Sequence, residues 1–273
     1  MLHVMGGGQG RGRWYVPVEP PPELARLLAC SWTAEPTGKH TLVPDGCIDV
    51  LWVSTGHLVV CGPETRAWSF ALPTGTTAVG VRLRPGVGPQ LLGFDASALV
   101  DRRVSLCSLI GDDRALLGQV ARASDAADRR AVLESFIDAL ADDRGVELSF
   151  TDAVIDYLVT ESHPTVHAIA RHVGLTERQV HRRSQAGFGY GTKTLGRLLR
   201  FQRFLALGEC EPGRTLTSRA LDAGYSDHAH LSRDCRAITS SSPTQFLRQY
   251  FPTFPNMSDP FKTEHRLIAT MGR

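Results

Sequence analysis

The feature that most constrains this chain is a pair of short amphipathic helices joined by a glycine-containing turn, a pattern found twice in the C-terminal half. In the first copy, Thr165 can cap a helix and Gly174 can supply the left-handed backbone conformation that commonly ends one. Thr176 and Gln179 then form a capping-box pattern, which predicts the start of a second helix. The residues predicted to face inward from the first helix are Val166, Ile169, Ala170 and Val173. This arrangement is typical of a helix-turn-helix unit.

The same plan recurs about 50 residues later. Ala220 lies inside the predicted first helix, Gly224 lies in the turn, and Leu231 points inward from the predicted second helix. Between the two copies, residues 191–209 form one long amphipathic segment rich in arginine. The sequence therefore predicts an all-α C-terminal region made of two helix-turn-helix units and a long connecting helix.

Basic side chains are concentrated in the same region. Residues 151–250 contain 13 Lys and Arg against 9 Asp and Glu, whereas residues 1–150 contain 14 against 17. Twelve of those 13 basic residues are arginine, whose forked guanidinium group suits both phosphate and guanine. A mildly acidic first half joined to an arginine-rich second half fits a sensor coupled to a nucleic-acid binder. Double-stranded DNA is the expected partner.

The second unit carries a spaced motif made of Ala220, Gly224, Tyr225, Ser226, Asp227, His230 and Arg233, with Ser242, Pro243 and Phe246 downstream. The predicted connecting helix contains the stretch LLRFQR at 198–203. Both features resemble the DNA-binding domain of AraC-type (AraC/XylS) transcription regulators. The resemblance covers about residues 150–249 and implies a sequence-specific regulator whose two recognition helices enter successive major grooves.

Three features depart from the family pattern. Ser184 and Cys235 stand where a buried phenylalanine is usual, and residues 239–241 lack the usual glycine. These departures are expected to weaken the packing behind both recognition helices without removing the side chains that face the grooves.

The resemblance also implies roles for individual side chains. Base contacts are expected from Arg178, Gln179, His181 and Arg182 in the first unit and from His228, Ala229, Ser232 and Arg233 in the second. Phosphate contacts are expected from Thr165, Thr176, Lys193, Arg197, His230 and Arg236. Arginine prefers the guanine edge and alanine can meet a thymine methyl group, whereas phosphate contacts position a protein without specifying sequence. Arg183 is expected to pair with acids inside the protein instead.

The N-terminal half has a different character. From residue 41 onward, four apolar runs of strand length are separated by turn residues: CIDVLWV, HLVVCG, SFALP and AVGVRLRPG. Short strands with regular turns predict a small β-barrel or sandwich. Helical spacing follows at 112–120 and 126–141, where an apolar stripe holds Val132, Leu133, Phe136, Ile137 and Leu140. This stripe could cover the barrel or pair with a second copy of the chain, so a homodimer is possible.

Strands first and helices afterwards indicate an α+β chain with separate domains. We predict a flexible leader at 1–22, a sensor or dimerisation domain at 23–145, the tandem helix-turn-helix domain at 150–250, and a tail at 251–273. The stretches LVPDGCIDVLW, CGPETR and GVRLRPG resemble the barrel-type sensor domain found ahead of this tandem in some AraC-type regulators. That resemblance implies a cupin-like module with flanking helices that binds a small-molecule effector or dimerises.

Other function classes have little support. The strand-rich half contains only His40 and His57, with His3 in the leader and no His-x-His pair, so a metal-dependent cupin-type enzyme is poorly supported. No nucleophile elbow, dinucleotide fingerprint or phosphate loop is present. We therefore expect no catalytic residues, no metal and no cofactor. A DNA-binding protein without an effector remains an alternative.

The cellular compartment follows from three negative signals. The six cysteines match no zinc template. No apolar run approaches the ~20 residues of a membrane span, and the N-terminus does not resemble a secretion signal. We expect a cytoplasmic protein that does not contact a membrane.

Overall fold

Short strands form the N-terminal half, as the alternation of apolar and turn residues predicts. The structure is a computed structural model and describes residues 14–161, 164–210 and 215–250. Its strands are β1 (Tyr15–Val18), β2 (Leu28–Ala34), β3 (Lys39–Leu42), β4 (Ile48–Val53), β5 (His57–Cys61), β6 (Trp68–Ala71), β7 (Ala78–Leu83) and β8 (Arg103–Ser105). The four predicted runs correspond to β4, β5, β6 and β7, whereas β1, β2, β3 and β8 lie outside those runs.

The strands form an antiparallel sheet of six, in the order β1-β2-β7-β4-β5-β8, and a separate two-stranded ribbon of β3 and β6. No hydrogen-bonded ladder closes the sheet between β1 and β8 within the described ranges, so the predicted closed barrel is not confirmed. The prediction of a flexible leader as far as residue 22 also differs from the structure. Tyr15 to Val18 pair with β2, and Pro22–Leu24 form a turn of 3-10 helix.

Four helices flank the sheet: α1 (Val87–Leu92), α2 (Cys107–Ile110), α3 (Arg114–Arg122) and α4 (Ala126–Arg144). Asp125 caps α4 by accepting hydrogen bonds from the backbone N–H groups of residues 127 and 128. The apolar stripe of α4 packs against the sheet, and Leu133 and Ile137 are fully buried there. The sequence left open whether the stripe covers the strands or pairs with a second copy of the chain. The structure shows that it covers the sheet.

The C-terminal region is helical throughout its described part. Its helices are α5 (Ser149–Thr160), α6 (Val166–His172), α7 (Glu177–Phe188), α8 (Thr192–Cys210), α9 (Leu216–Asp222), α10 (His228–Thr239) and α11 (Pro243–Tyr250). The pairs α6–α7 and α9–α10 are the two predicted helix-turn-helix units, and α8 is the connecting helix. The predicted tail at 251–273 lies outside the described residues.

One apolar cluster holds both units and the connecting helix together. Phe201 and Phe204 on α8 are buried, with Tyr225 and Leu231 of the second unit and Val180 of the first. Ser184 and Cys235, where the family usually has phenylalanine, are also fully buried. Val166, which was predicted to face inward, is instead 40% exposed. In the part of the chain that the structure describes, no helix has the length and apolarity to cross a membrane.

Candidate nucleic-acid interface

The first unit is shaped by hydrogen bonds between residues close together in sequence. The Thr165 hydroxyl accepts the backbone N–H of residue 168 at 3.2 Å and starts α6. Gly174 has a φ of 67°, which allows the sharp turn between the helices. Thr176 and Gln179 form the predicted capping box, with hydrogen bonds of 3.3 Å and 2.9 Å in the two directions. The start of α7 is therefore fixed at Glu177.

The outer face of α7 is open to solvent. Arg178, His181 and Arg182 are exposed, while Val180 and Ser184 face inward. Gln179 is also exposed, but the oxygen of its amide already serves the capping box. Its amide nitrogen remains the part of that side chain suited to a base acceptor. All four predicted base-reading side chains of α7 thus lie exposed, and one of them, Gln179, also serves the capping box.

The second unit is capped in a similar way. The Asp227 carboxylate accepts the backbone N–H of His230 at 2.6 Å and starts α10. The same hydrogen bond holds the pKa of Asp227 below its usual range. Gly224, with a φ of 90°, lies in the turn, and Tyr225 behind it is buried against Phe204. These contacts orient α10 relative to the connecting helix.

The predicted base-reading residues of α10 divide into two groups. His228, Ala229 and Arg233 are exposed. Ser232 is only 9% exposed, and its hydroxyl lies 3.4 Å from Nδ1 of His228. The structure therefore places Ser232 in a buried position beside His228, which differs from the outward position predicted from the sequence.

The predicted phosphate-binding residues also occupy unequal positions. Lys193 and Arg236 are exposed. Thr165 and Thr176 are exposed at helix N-termini, where anions are favoured. Arg197 is partly buried, and its Nε is enclosed without a hydrogen-bond partner among the described residues.

His230 belongs to a charged cluster that joins α8 to α10. Its Nε2 lies 3.4 Å from a guanidinium nitrogen of Arg200 and 3.8 Å from the Asp234 carboxylate. Arg200 also pairs with Asp234 at 3.5 Å and stacks over the ring of Tyr225. Burial raises the pKa of Asp234, although the surrounding cations oppose that change. The contacts of His230 with Arg200 and Asp234 were not predicted from the sequence. The i, i+4 spacing of His230 and Asp234 on one helix was the signal that could have indicated their contact.

Two further predictions concern Arg183 and metals. Arg183 was expected to pair with internal acids, and its guanidinium instead lies 5.6 Å from the centre of the Phe150 ring. No group of three or more His, Cys, Asp or Glu side chains that could hold a metal ion occurs among the residues with described positions.

Two domain families match the chain. The family described as "Helix-turn-helix domain" matches residues 169–249, which contain both recognition helices. The family described as "Domain of unknown function (DUF6597)" matches residues 17–105, which contain all of the sheet apart from the first residues of β1. No curated protein matches the chain.

Among solved structures, those to which this chain is similar include ToxT from Vibrio cholerae. One ToxT crystal structure is 10% identical, covers 81% of this chain and 96% of its own, and has a TM-score of 0.45. A second crystal form is 9% identical, covers 80% of this chain and 97% of its own, and has a TM-score of 0.42.

Proposed function

We propose that this chain, a DNA-binding transcription regulator with an AraC-type helix-turn-helix domain at residues 169–249, reads two successive major grooves with α7 and α10. The observation that carries the proposal is the pair of capped helices whose outer faces present arginine and histidine to solvent. Such side chains bind base edges in the major groove.

The length of the connecting helix supports reading of adjacent grooves. α8 has 19 residues and so spans about 28 Å at 1.5 Å per residue. Successive major grooves on one face of DNA are about 34 Å apart. A helix of this length can therefore hold two compact units near the required separation.

Within this proposal the base-reading residues are those whose polar ends are exposed. Arg178, His181 and Arg182 act in the first groove, and His228 and Arg233 act in the second, with Ala229 available to a thymine methyl group. Gln179 and Ser232 have secondary roles because their side chains already make contacts inside the protein. Lys193, Arg236 and the two threonine caps hold phosphates.

We further propose that the N-terminal domain, which includes β1 and so begins before the predicted residue 23, binds a small molecule that modulates DNA binding. An aromatic cluster between the sheet and the β3–β6 ribbon supports this. Trp14 and His40 lie there with ring centres 4.2 Å apart, beside Phe70. Nε1 of Trp14 and Nδ1 of His40 are buried without a partner among the described residues. A ligand with polar groups that reach these two nitrogens is the kind that such a cluster would bind.

The alternative is a DNA-binding regulator without an effector. A small molecule that binds the folded chain raises its thermal stability in proportion to the logarithm of ligand concentration. A screen in which no compound shifts either the melting temperature or the DNA affinity would favour the alternative. Quenching of tryptophan fluorescence by a compound would favour the effector site near Trp14.

The primary experiment is selection of bound sequences from random duplexes with the full chain. We expect two conserved half-sites whose centres are about 10 bp apart. In Arg182→Ala, the preference for one base in the half-site read by α7 should fall by about 1–3 kcal/mol. Salt-dependent binding to random DNA should persist.

A charge-matched control separates base reading from general attraction to DNA. Arg122→Ala removes one positive charge from the exposed end of α3, a helix of the N-terminal domain, and should leave the selected sequence unchanged. If Arg182→Ala weakens binding to the selected site and to random DNA by the same factor, Arg182 does not read a base.

A further inference from the structure

One loop of the N-terminal domain lies against the C-terminal ends of both recognition helices. This segment, residues 62–67, runs from the end of β5 at Cys61 to the start of β6 at Trp68; we refer to it as the bridging loop. Its two ends make separate contacts with the helix-turn-helix domain. The CGPETR stretch, which resembles part of a sensor domain, makes up most of this segment.

The first contact is with the end of α7. Gly189 ends that helix with a φ of 86°, which favours glycine. A methyl group added at Gly189 would lie 2.7 Å from both Pro63 of the bridging loop and Val100, and 3.1 Å from the carbonyl oxygen of Ala96. The backbone of the first recognition helix therefore ends in direct contact with the N-terminal domain.

The second contact is with the end of α10. The backbone N–H of Ala67 donates a 2.7 Å hydrogen bond to the carbonyl oxygen of Ile238, in the last turn of the second recognition helix. The carbonyls of a last helical turn have no partner within the helix, so this bond satisfies one of them. Beside it, a groove separates Thr41 and Ser69 from Thr239 and Phe246.

The bridging loop is held rigidly between these contacts. Asp101 accepts two hydrogen bonds from Thr65, at 2.7 Å from its backbone N–H and at 2.6 Å from its hydroxyl. The backbone N–H of Asp101 in turn donates to the carbonyl oxygen of Pro63 at 3.0 Å. The Glu64 carboxyl group contacts the Arg103 guanidinium, which lies 3.6 Å from the centre of the Trp68 ring.

We propose that the bridging loop positions the two recognition helices relative to one another, so that the N-terminal domain sets the half-site spacing that the protein accepts. The connecting helix alone joins the units in series, and bending at either of its ends would change their separation. The bridging loop contacts the C-terminal ends of both α7 and α10, so it connects the two units a second time. This second connection restricts the bending. This inference rests on the proposed function, because spacing has meaning only if both helices read DNA.

The test compares half-site spacing in the full chain and in Ala67→Pro, which removes the N–H that binds Ile238. Duplexes carry the two selected half-sites with zero to ten base pairs inserted between them. Wild type should lose about tenfold or more in affinity with a 5 bp insertion, because the second half-site then faces the opposite side of the DNA. With the same insertion, Ala67→Pro should lose no more than about threefold in affinity. It should bind a duplex that carries only the half-site read by α7 as tightly as wild type does.

Thr74→Pro is the matched proline control. Thr74 precedes Gly75, which has a φ of 82°, in a turn closed by the hydrogen bond from the backbone N–H of Thr76 to the carbonyl oxygen of Pro73. Proline is favoured at this position of such a turn. Thr74→Pro should keep the spacing preference of wild type.

A second variant covers the case in which Ala67→Pro does not fold. Asp101→Asn should keep the local backbone, because asparagine adopts the left-handed conformation found at residue 101, where φ is 57°. Its side chain has an acceptor for only one of the two Thr65 donors. It should relax the spacing preference to a smaller degree. Unchanged spacing discrimination in both folded variants, or in Asp101→Asn alone if Ala67→Pro is unfolded, overturns the role of the bridging loop. Absence of any two-half-site preference in wild type overturns the proposed function instead.

Discussion

At the scale of single residues, the departures from the AraC-type pattern all lie behind or beside the recognition helices. Ser184 and Cys235 are fully buried, and the Ser184 hydroxyl has no hydrogen-bond partner within the described ranges. The Cys235 thiol lies 3.5 Å from the Thr239 hydroxyl. Burial raises the pKa of that thiol, so it stays protonated. Small polar side chains here provide less apolar packing than phenylalanine would.

Ser240 is the third departure, and its backbone explains why glycine is usual nearby. It ends α10 in the left-handed conformation, with a φ of 60°, which costs a residue with a side chain about 1–2 kcal/mol. Glycine avoids that cost but loses more backbone entropy on folding. We expect Ser240→Gly to raise the free energy of unfolding by about 0.5–1 kcal/mol, measured by urea denaturation of the full chain.

The control for this change lies on the same helix. Ala237 is exposed within α10, where glycine is unfavourable by about 1 kcal/mol relative to alanine. Ala237→Gly should therefore lower the stability while Ser240→Gly raises it. Equal losses from both glycines would show that Ser240 is not strained.

At the scale of secondary-structure elements, the sequence left open whether the apolar stripe of α4 covers the sheet or forms a dimer. Leu133 and Ile137 are fully buried against the sheet, while Val132 and Phe136 are partly buried beside them. The homodimer stays a prediction, and an interface along α4 would have to use what remains exposed of this stripe.

Removing one side chain of the stripe tests its internal role. We expect Ile137→Ala to lower the free energy of unfolding by about 2–5 kcal/mol, the usual range for deleting a buried isoleucine side chain. Because the side chain packs inside the protein, sedimentation should give the same mass for wild type and for the variant. Asp138→Ala, at an exposed position one residue along the helix, should change neither quantity. A loss of mass without a loss of stability would place Ile137 at an intermolecular interface.

At the scale of the whole molecule, the two halves are joined by a polar and apolar contact surface. The Gln202 side-chain amide on α8 donates to the carbonyl oxygen of Pro44 at 2.8 Å. Burial raises the pKa of Tyr190, and the carboxylates of Asp45 and Asp101 add to that effect. A methyl group added at Gly46 would lie 3.3 Å from Leu195 and 3.6 Å from the Tyr190 hydroxyl. The turn at residues 44–46 therefore packs directly on the connecting helix.

Glu64 makes the stability of this arrangement depend on pH. Burial raises its pKa to about 8, with Asp101 adding to the rise and Arg103 opposing it. The folded chain keeps this proton up to about pH 8, whereas the unfolded chain releases it near its ordinary, lower pKa. The contribution of Glu64 is therefore most favourable at acidic pH and is lost as the pH rises towards 8.

Glu64→Gln mimics the protonated side chain and should remove this dependence. Measured by denaturation between pH 5 and 9, the variant should gain stability over wild type as the pH rises, with little difference at pH 5. Glu147 is the contrasting control, because hydrogen bonds from Ser149 lower its pKa. Glu147→Gln should lose stability relative to wild type at neutral pH and converge with it in acid. An unchanged difference between wild type and Glu64→Gln over the whole range would contradict the raised pKa.

The amino-acid sequence by itself determined the parts of the protein that depend on neighbouring residues. The helix-turn-helix units, the capping box of Thr176 and Gln179, the turn glycines and four of the strands follow from interactions within a few positions along the chain. Such interactions form in the same way wherever the segment lies, so a local pattern is enough to predict them.

Only the tertiary structure decided how distant segments meet. Within the described residues the sheet is open, and His230 joins a cluster with Asp234 and with Arg200 of the connecting helix. The hydrogen bond between Ala67 and Ile238 likewise connects segments far apart in the sequence. Each of these contacts depends on the simultaneous packing of many side chains from different elements, and no periodicity within a single segment encodes which partner it will find.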